Sequence, residues 1–381
     1  MKKLGGKRRL PGNLLEIKAD LLKKQHNSLT GEQVLSRDDD QLLREIRLKT
    51  IQLNANNVTR TKAYLDFYRC HPEIHWAFLG HMVSRNGGWN MTDLKGDLLS
   101  RLMNEKTRET FFSFLERGNW LIFQDAYPQF LLYRECLRQN RNLFYLLPYL
   151  NISVFMEVMW NQFWKKRDCY LLAIALIINE QSYLEKRIVQ NPLYKNKVLH
   201  KFEFVVQDLL SFNHILFPFE RGGHKGEKTA LSGQTLRHFD SLHERIMLGK
   251  RLYSLLFYHK EQWEKAFHWA VSHPHTGSRK DYWQDVFNDV NDGLPGAAFT
   301  RRLKGCKLRT GAHRLFSPKL EYAWKNVEHK EAELGDWFNH WRIVEYLQED
   351  KEIIKGEIVG EYCETLEKLE LVALAKKAIF S

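Results

Sequence analysis

The sequence predicts an all-α fold, built as a large multi-helix globular assembly. Apolar residues recur at helical spacing in several segments, and no stretch sustains the two-residue alternation of a half-buried strand. Proline is scarce, since the chain has nine where average usage of about 5% would give roughly nineteen. The chain is 44% apolar and 13% aromatic, which supplies a large core and excludes wholesale disorder.

The first predicted helix begins at the three aspartates of residues 38–40, because carboxylates stabilise the positive end of a helix dipole. Its apolar face is marked by Leu42, Leu43, Ile46 and Leu53. The next helix is predicted to open at Pro72, a favourable first helical position. We expect it to end at 86–88, where glycine can adopt the left-handed cap.

Later helices are predicted from similar boundary signals. Leucines at four-residue steps form one helix, which Gly118 and Asn119 should end before the next begins; these leucines are Leu94, Leu98 and Leu102. Pro128 and Pro192 should divide further apolar segments. Ser182 and Glu185 match a capping box within a longer helical stretch.

The sequence predicts two long loops in the second half of the chain, near 220–233 and 291–317. Pro218 should close an apolar run at 199–217, and Ser317 with Pro318 should begin an amphipathic helix reaching Trp341. The best strand candidate is 352–359. The predicted regions are a basic, partly flexible N-terminal arm (1–30), a helical core region (31–219), a loop (220–233), a second helical region packed on the first (234–341) and an acidic C-terminal segment (342–381).

The positive charge is concentrated in two segments. The chain has 58 basic and 46 acidic residues, a formal net charge of +12. Residues 1–26 hold eight bases and two acids, and residues 301–319 hold seven bases and no acid. Such asymmetry fits contact with a polyanion, although a solvated basic surface accounts for it equally well. The candidate anion-binding residues are Arg301, Arg302, Lys304, Lys307 and Arg309, since flexible basic side chains can contact phosphates.

Titratable residues within apolar segments form the candidate catalytic set, which is His75, His81, Arg85, Asn86 and Glu180. Glu180 follows nine apolar residues, so we expect it to be buried with a partner or a raised pKa. His71 and His75 should share one helix face, but they lack the spacing of a zinc-protease motif. Local pairing of the histidines is favoured over metal binding, and no metal or cofactor is predicted.

Several other classes of site are excluded by spacing. The glycine-rich stretch 222–229 lacks the spacing of a P-loop, and no strand is predicted before it. The five cysteines are odd in number and scattered, which argues against a disulfide framework and a thiolate zinc site. A reducing, cytoplasmic setting is therefore expected.

We expect no secretory signal and no transmembrane segment. The basic N-terminus is not followed by an apolar run of signal-peptide length. Residues 143–160 contain polar side chains, and the purely apolar stretch 170–178 is about half as long as a bilayer requires.

Three segments of the chain are distinctive: HWAFLGHMVSRNGGWNMTDLKG (75–96), QTLRHFDSLHER (234–245) and SPKLEYAWKNVEH (317–329). Together they resemble an uncharacterised family of spore-forming Gram-positive bacteria, the YppC-like domain-of-unknown-function family. The resemblance extends over about residues 38–345. It implies a bacterial, cytoplasmic protein and assigns no activity, cofactor or catalytic residue.

The favoured functional hypothesis is a non-enzymatic protein that binds an anionic partner, either nucleic acid or an acidic protein. One alternative is an enzyme with a pocket of His, Arg, Asn and Glu side chains between helices. Another is a peripheral membrane protein that uses the basic N-terminus together with Leu10, Leu14, Leu15 and Ile17. The sequence does not determine the oligomeric state.

Overall fold

The structure, a computed structural model, describes residues 10–27, 35–190, 213–220, 229–292, 299–349, 354 and 356–380. Helices dominate these residues, as the sequence predicts. All-α is nevertheless too strict a description, because the same residues contain three two-stranded sheets.

The helices are α1 (Gly12–Asn27), α2 (Arg37–Leu53), α3 (Asn57–Cys70), α4 (His75–Asp93), α5 (Leu99–Leu102), α6 (Glu105–Gln139), α7 (Val154–Lys166), α8 (Cys169–Leu184), α9 (Leu242–Phe257), α10 (Lys260–Ser272), α11 (Leu320–Ala323) and α12 (Val359–Phe380). The strands are β1 (His214–Phe219), β2 (Ala230–Thr235), β3 (Phe287–Asn288), β4 (Leu303–Lys304), β5 (Lys307–Leu308) and β6 (Leu315–Phe316). β1 pairs antiparallel with β2 and β4 with β5, whereas β3 and β6 are parallel.

Helix α8 lies at the centre of the core. Every residue of 171–179 is buried, and helices α4, α6, α7 and α9 pack around it. A helix that is apolar on all sides is stable only when neighbours cover it completely. No helix among the described residues is long and apolar enough to span a membrane.

Helix α2 begins as predicted. The Ser36 hydroxyl accepts a hydrogen bond from the backbone N–H of Asp39, and the three aspartates occupy the first turn. Leu43 and Ile46 are buried on the predicted face.

Helix α4 corrects two predictions. It begins at His75 rather than at Pro72, and His71 caps the end of α3, so His71 and His75 lie on different helices. It also continues through Gly87 and Gly88. A side chain at Gly88 would collide with Asn57 and His275, so this glycine makes room for a neighbouring contact rather than ending the helix.

Helix α6 runs uninterrupted through Gly118, Asn119 and Pro128, all of which were predicted to mark boundaries. The predicted leucine helix is also wrong, since Leu94 caps α4 and Leu102 ends the short α5. Burial of the α6 face that holds Phe123 outweighs these local signals. Pro192 lies outside the described residues.

The predicted capping box at 182–185 is not a helix start. Ser182 lies inside α8, and the chain continues from Glu185 directly into a π-helical turn, Glu185–Val189.

The hairpin of β1 and β2 was missed by the sequence reading. Pro218 lies within β1 instead of closing a helix, and β2 begins inside the predicted loop 220–233. β1 packs against α10 and α4, so most of its residues are buried and it lacks the alternation of a half-exposed strand. Residues 199–212 and 221–228 lie outside the described residues.

The amphipathic helix predicted from Ser317 to Trp341 is wrong. Only α11 forms there, and residues 324–340, which we call the strap, are irregular. The strap is held by side chains from other elements: Arg187 donates to the carbonyls of Glu333 and Gly335 at 2.9 and 3.0 Å. Such partners satisfy an irregular backbone that would otherwise be left unpaired.

The two ends of the chain pack onto the core where they are described. Leu14, Ile17 and Leu21 of α1 are buried, and α1 contacts α7 and the 3-10 turn Trp341–Leu347. Of the predicted strand 352–359, the described residues form one isolated antiparallel bridge, from Glu357 to Ser232, before α12 begins.

Candidate functional site

His75 lies at the start of α4 and contacts α9. Its Nδ1 is 2.8 Å from the Tyr253 hydroxyl, and its ring stacks on Phe257 with the centroids 4.3 Å apart. Burial lowers the pKa of His75 to about 4. The imidazole is therefore neutral and part of an aromatic contact between two helices.

His81 and Arg85, one turn apart on α4, do come together. The Arg85 guanidinium donates from Nε to His81 Nε2 at 3.0 Å, and His81 Nδ1 lies 2.8 Å from the Thr61 carbonyl. A carbonyl only accepts, so the His81 proton is on Nδ1. Burial, reinforced by the Arg85 charge, lowers the pKa of His81 well below its usual value.

Arg85 and His81 belong to a larger set that we call the buried histidine cluster: Asn57, Thr61, His81, Arg85, His275 and Asp281. His275 Nε2 lies 2.8 Å from Asn57 Oδ1, and its Nδ1 lies 3.4 Å from the Asp281 carboxylate. Arg85 also donates to the carbonyls of Ala270 and His273. The cluster therefore ties α3 and α4 to the chain that follows α10.

Asn86 has a separate, structural position. Its Nδ2 donates to the Leu216 carbonyl at 2.9 Å, and its Oδ1 accepts from the Leu216 N–H at 2.8 Å. One side chain thereby satisfies both polar groups of a residue in β1 and joins that strand to α4.

Glu180 lies near the end of α8, in different surroundings from the histidine cluster. Desolvation raises its pKa to about 8, and Gln181 Nε2 donates to its carboxylate at 3.0 Å. The charges that act on Glu180 come from Asp125 and Arg245. The structure therefore joins His81 with Arg85, but gives His75, Asn86 and Glu180 partners of their own.

Asp125 on α6 is a buried carboxyl that the sequence reading missed. Burial raises its pKa to about 7, although Asn179 and Gln129 both donate to its Oδ2. The Trp337 indole of the strap donates to Asn179 Oδ1 at 2.8 Å. The available signal was a single acidic residue within an otherwise largely apolar run of α6.

Four of the seven basic residues of 301–319 are paired with acids. Arg301 contacts Glu367, and Arg302 contacts Asp97 at 2.7 Å and Glu370 at 3.5 Å. Arg314 and Lys319 lie 3.8 and 3.7 Å from Asp292 and Asp289. These four side chains therefore have acidic partners within the chain.

Residues 302–309, which we call the basic hairpin, carry the other three bases. Gly305 and Cys306 form the two-residue turn between β4 and β5, with φ of 55° and 63°. Lys304 and Lys307 are directly opposite each other in the antiparallel pair, and both are exposed. Neither lysine contacts an acidic side chain within the part of the chain that is described.

Two features of this hairpin are locally unfavourable. Like charges directly opposite each other in an antiparallel pair destabilise it. Cys306 also adopts the left-handed backbone region, which disfavours residues other than glycine. Local conflicts of this kind tend to persist at functional sites, where the surrounding structure enforces them.

One face of α12 enforces the hairpin. Glu367 Oε1 accepts from the Gly305 N–H at 2.6 Å, and Glu370 accepts from the backbone N–H groups of Arg302 and Leu303 at 3.0–3.1 Å. Cys363, one turn before Glu367, forms a disulfide with Cys306. Residues 363, 367 and 370 lie on the same face of α12, because they are three and four positions apart. This one face therefore contacts both the turn and the first strand of the basic hairpin.

The other candidate ligand sites have no comparable excess of one charge. A surface cleft of about 430 Å³ next to β2 is lined by basic and acidic side chains in similar number, including Arg237, Arg251, Glu244 and Glu361. No group of three or more His, Cys, Asp or Glu residues that could hold a metal ion occurs among the described residues.

Comparison with known proteins places the chain in a family. A family model described as "Protein of unknown function (DUF2515)" matches residues 52–360. The chain is 43% identical to the uncharacterized protein YppC of Bacillus subtilis (strain 168). The match extends over 240 residues, which make up 63% of this chain and 72% of that relative. No solved structure matches. The resemblance drawn from the three sequence segments is confirmed, and the chain belongs to the DUF2515 family of proteins of unknown function.

Proposed function

We propose that this protein is a non-enzymatic binding protein that contacts the phosphate backbone of a nucleic acid through the basic hairpin. The observation that carries the proposal is the placement of Lys304 opposite Lys307, both exposed and without an acidic partner among the described residues. A phosphate between the two ammonium groups would replace their mutual repulsion with two attractive contacts.

The surroundings of the lysines favour phosphate over an acidic protein face or a lipid surface. Leu303 is buried and Leu308 is half-buried, so the hairpin presents no large apolar side chain for a protein interface or for insertion into lipid. Phe299 lies beneath the guanidinium groups of Arg101 and Arg302 and is not open for base stacking. These features support contact with the backbone, which does not depend on base sequence.

The proposal divides the predicted anion-binding residues into two groups. Lys304, Lys307 and Arg309 would contact phosphate, since all three are exposed. Arg301 and Arg302 would position the hairpin through their carboxylate partners on α12 and at Asp97. We place this activity in the cytoplasm, where nucleic acid is accessible.

The test is fluorescence anisotropy of the full chain with a labelled DNA duplex. Three phosphate contacts predict a slope of about −2.7 for log affinity against log salt, so affinity should fall about 40-fold between about 50 and 200 mM salt. For K304Q/K307Q the slope should fall to about −0.9. K49Q/K165Q removes the same net charge from exposed positions elsewhere and should match the wild type.

Two results would refute the proposal. One is the lack of any binding to the DNA duplex and to a labelled single-stranded RNA at about 50 mM salt, where backbone contacts are strongest. The other is equal weakening in the hairpin variant and in K49Q/K165Q, which would show that binding reflects net charge and not this site. A labelled single-stranded RNA and anionic vesicles, run in parallel, identify the partner if duplex DNA fails.

A further inference from the structure

The turn of the basic hairpin carries a cysteine whose partner is far away in sequence. Cys306 and Cys363 are 57 residues apart, and their Cα atoms are 5.2 Å apart, within the range that a disulfide requires. The other three cysteines are free thiols, of which Cys70 is exposed and Cys136 is buried. The fold therefore selects one pair, whereas the odd, scattered set of cysteines argued only against a disulfide framework.

We propose that the Cys306–Cys363 disulfide is a reversible redox modification that controls the basic hairpin. In the oxidised state it holds Lys304 and Lys307 in the paired arrangement, and in the reduced state the turn relaxes and phosphate affinity falls. This inference rests on the proposed function and adds its regulation.

The geometry explains why the turn should relax when the bond is broken. The left-handed backbone of Cys306 and the opposed lysines both favour opening of the turn. The contacts of Glu370 with the backbone N–H groups of Arg302 and Leu303, at the base of the hairpin, do not involve the disulfide. Reduction should therefore loosen the turn while the base of the hairpin stays on α12.

The chemistry requires a low-molecular-weight disulfide such as oxidised glutathione. The half-buried Cys306 is more accessible than Cys363, so its thiolate attacks the glutathione disulfide, breaks the S–S bond and releases one glutathione thiolate. The Cys363 thiolate then attacks the Cys306 sulfur and releases the second. Two protein thiols are oxidised and one glutathione disulfide is reduced, and the two protons pass to the two glutathione thiolates.

The first experiment measures the modification itself. The full chain is equilibrated in buffers of increasing oxidised-to-reduced glutathione ratio, alkylated, and digested for mass spectrometry. Alkylation of Cys306 and Cys363 should fall together, while Cys70 keeps reacting as the internal control. Full alkylation of both in the most oxidising buffer, or a stable glutathione adduct on Cys306 alone, would overturn the inference.

The second experiment measures the effect on binding with the same labelled duplex. Oxidised wild type should bind about fivefold more tightly than reduced wild type, at the lower end of usual coupling between two sites. C306S/C363S should bind like the reduced protein in both buffers, and C70S should respond like the wild type. The disulfide closes a long loop, so reduction should also lower the melting temperature of wild type but not of C306S/C363S.

The outcomes separate the two proposals. Equal affinity of the oxidised and reduced states, with the disulfide formed, overturns the regulation and leaves phosphate binding intact. A disulfide that forms and raises the melting temperature, with no binding in either state, overturns the proposed function and the regulation that depends on it.

Discussion

Buried polar residues of this protein have partners that fix their protonation state. His81 accepts from Arg85 and donates to Thr61, so only its neutral form fits the site. Asp125 is the opposite case, because burial favours its protonated form and two amide groups hold one oxygen. We infer that these residues stabilise the fold, since each is enclosed by packed side chains.

Gly88→Ala tests the packing beside the histidine cluster. The added methyl group would collide with Asn57 and His275, so we expect the free energy of unfolding to fall by about 2 kcal/mol despite alanine's higher helix propensity. Gly360→Ala is the matched control, because no atom lies within 4 Å of its added methyl group. Urea denaturation measures both, and equal stability of the two variants would contradict the packing argument.

Asp125→Asn tests the buried carboxyl. The folded-state pKa of about 7 lies above the usual 3.8, so ionisation of Asp125 should reduce stability as pH rises from about 4 to about 7. Asparagine keeps an oxygen for Asn179 and Gln129 without the charge. We expect this decrease in stability to be absent from the variant, a difference on the order of 4 kcal/mol at about pH 8.

The measurement for Asp125→Asn is the free energy of unfolding in urea at a series of pH values. Asp240→Asn, at an exposed position, serves as the control and should follow the wild type. An unchanged pH profile for Asp125→Asn would show that this carboxyl is solvated in the folded protein.

At the scale of elements, irregular and extended segments depend on side chains from helices. β1 is joined to α4 by Asn86, the strap is held by Arg187, and the basic hairpin is held by one face of α12. The helices supply a stable frame, because their backbone hydrogen bonds are internal. The predictions made from the sequence were least accurate for the segments that are attached to these helices.

Asn86→Ala tests the attachment of β1. The variant leaves the Leu216 N–H and carbonyl without their side-chain partner in a buried position, so we expect a loss of about 2–3 kcal/mol in stability. Hydrogen exchange should accelerate in β1 before the rest of the core. Asn326→Ala removes an exposed asparagine contact and should leave both measurements unchanged. Uniform exchange in both variants would rule out this role for Asn86.

At the scale of the whole molecule, the buried histidines and the buried carboxyls change the free energy of unfolding with pH in opposite directions. Burial lowers the pKa values of five histidines, so their contribution to stability is lost as pH falls below about 6.5; these are His71, His75, His81, His214 and His275. Burial raises the pKa values of Asp125 and Glu180 to about 7 and 8, so stability is lost as pH rises toward those values.

These opposite signs predict a stability maximum near pH 6.5. Below about 6.5 the unfolded chain binds more protons through the five histidines than the folded chain retains through the two carboxyls. Above it the two carboxyls outweigh the histidines, and stability declines toward about pH 8. Urea unfolding followed by tryptophan fluorescence between about pH 5 and 8.5 measures the profile. A free energy of unfolding that rises steadily across this range would show that ionisation of the two carboxyls does not destabilise the folded protein.

The sequence by itself determined the helical class, the start of α2, the basic segment and the family. These features depend on composition, on charge at a helix start and on distinctive local segments, all of which are present in the chain before it folds. It also placed His81 and Arg85 in the candidate catalytic set, and their four-residue spacing on a helix brings the two side chains together.

Only the tertiary structure decided the rest. Gly88 and Pro128 stay inside helices, β1 forms a strand, and Arg301 and Arg302 are neutralised by acids distant in sequence. Local preferences are worth about 1 kcal/mol per residue and about 3 kcal/mol for proline, whereas each large apolar side chain that is buried contributes about 1.5–3 kcal/mol. Burial of several such side chains therefore overrides local signals, and packing alone brings Cys306 to Cys363.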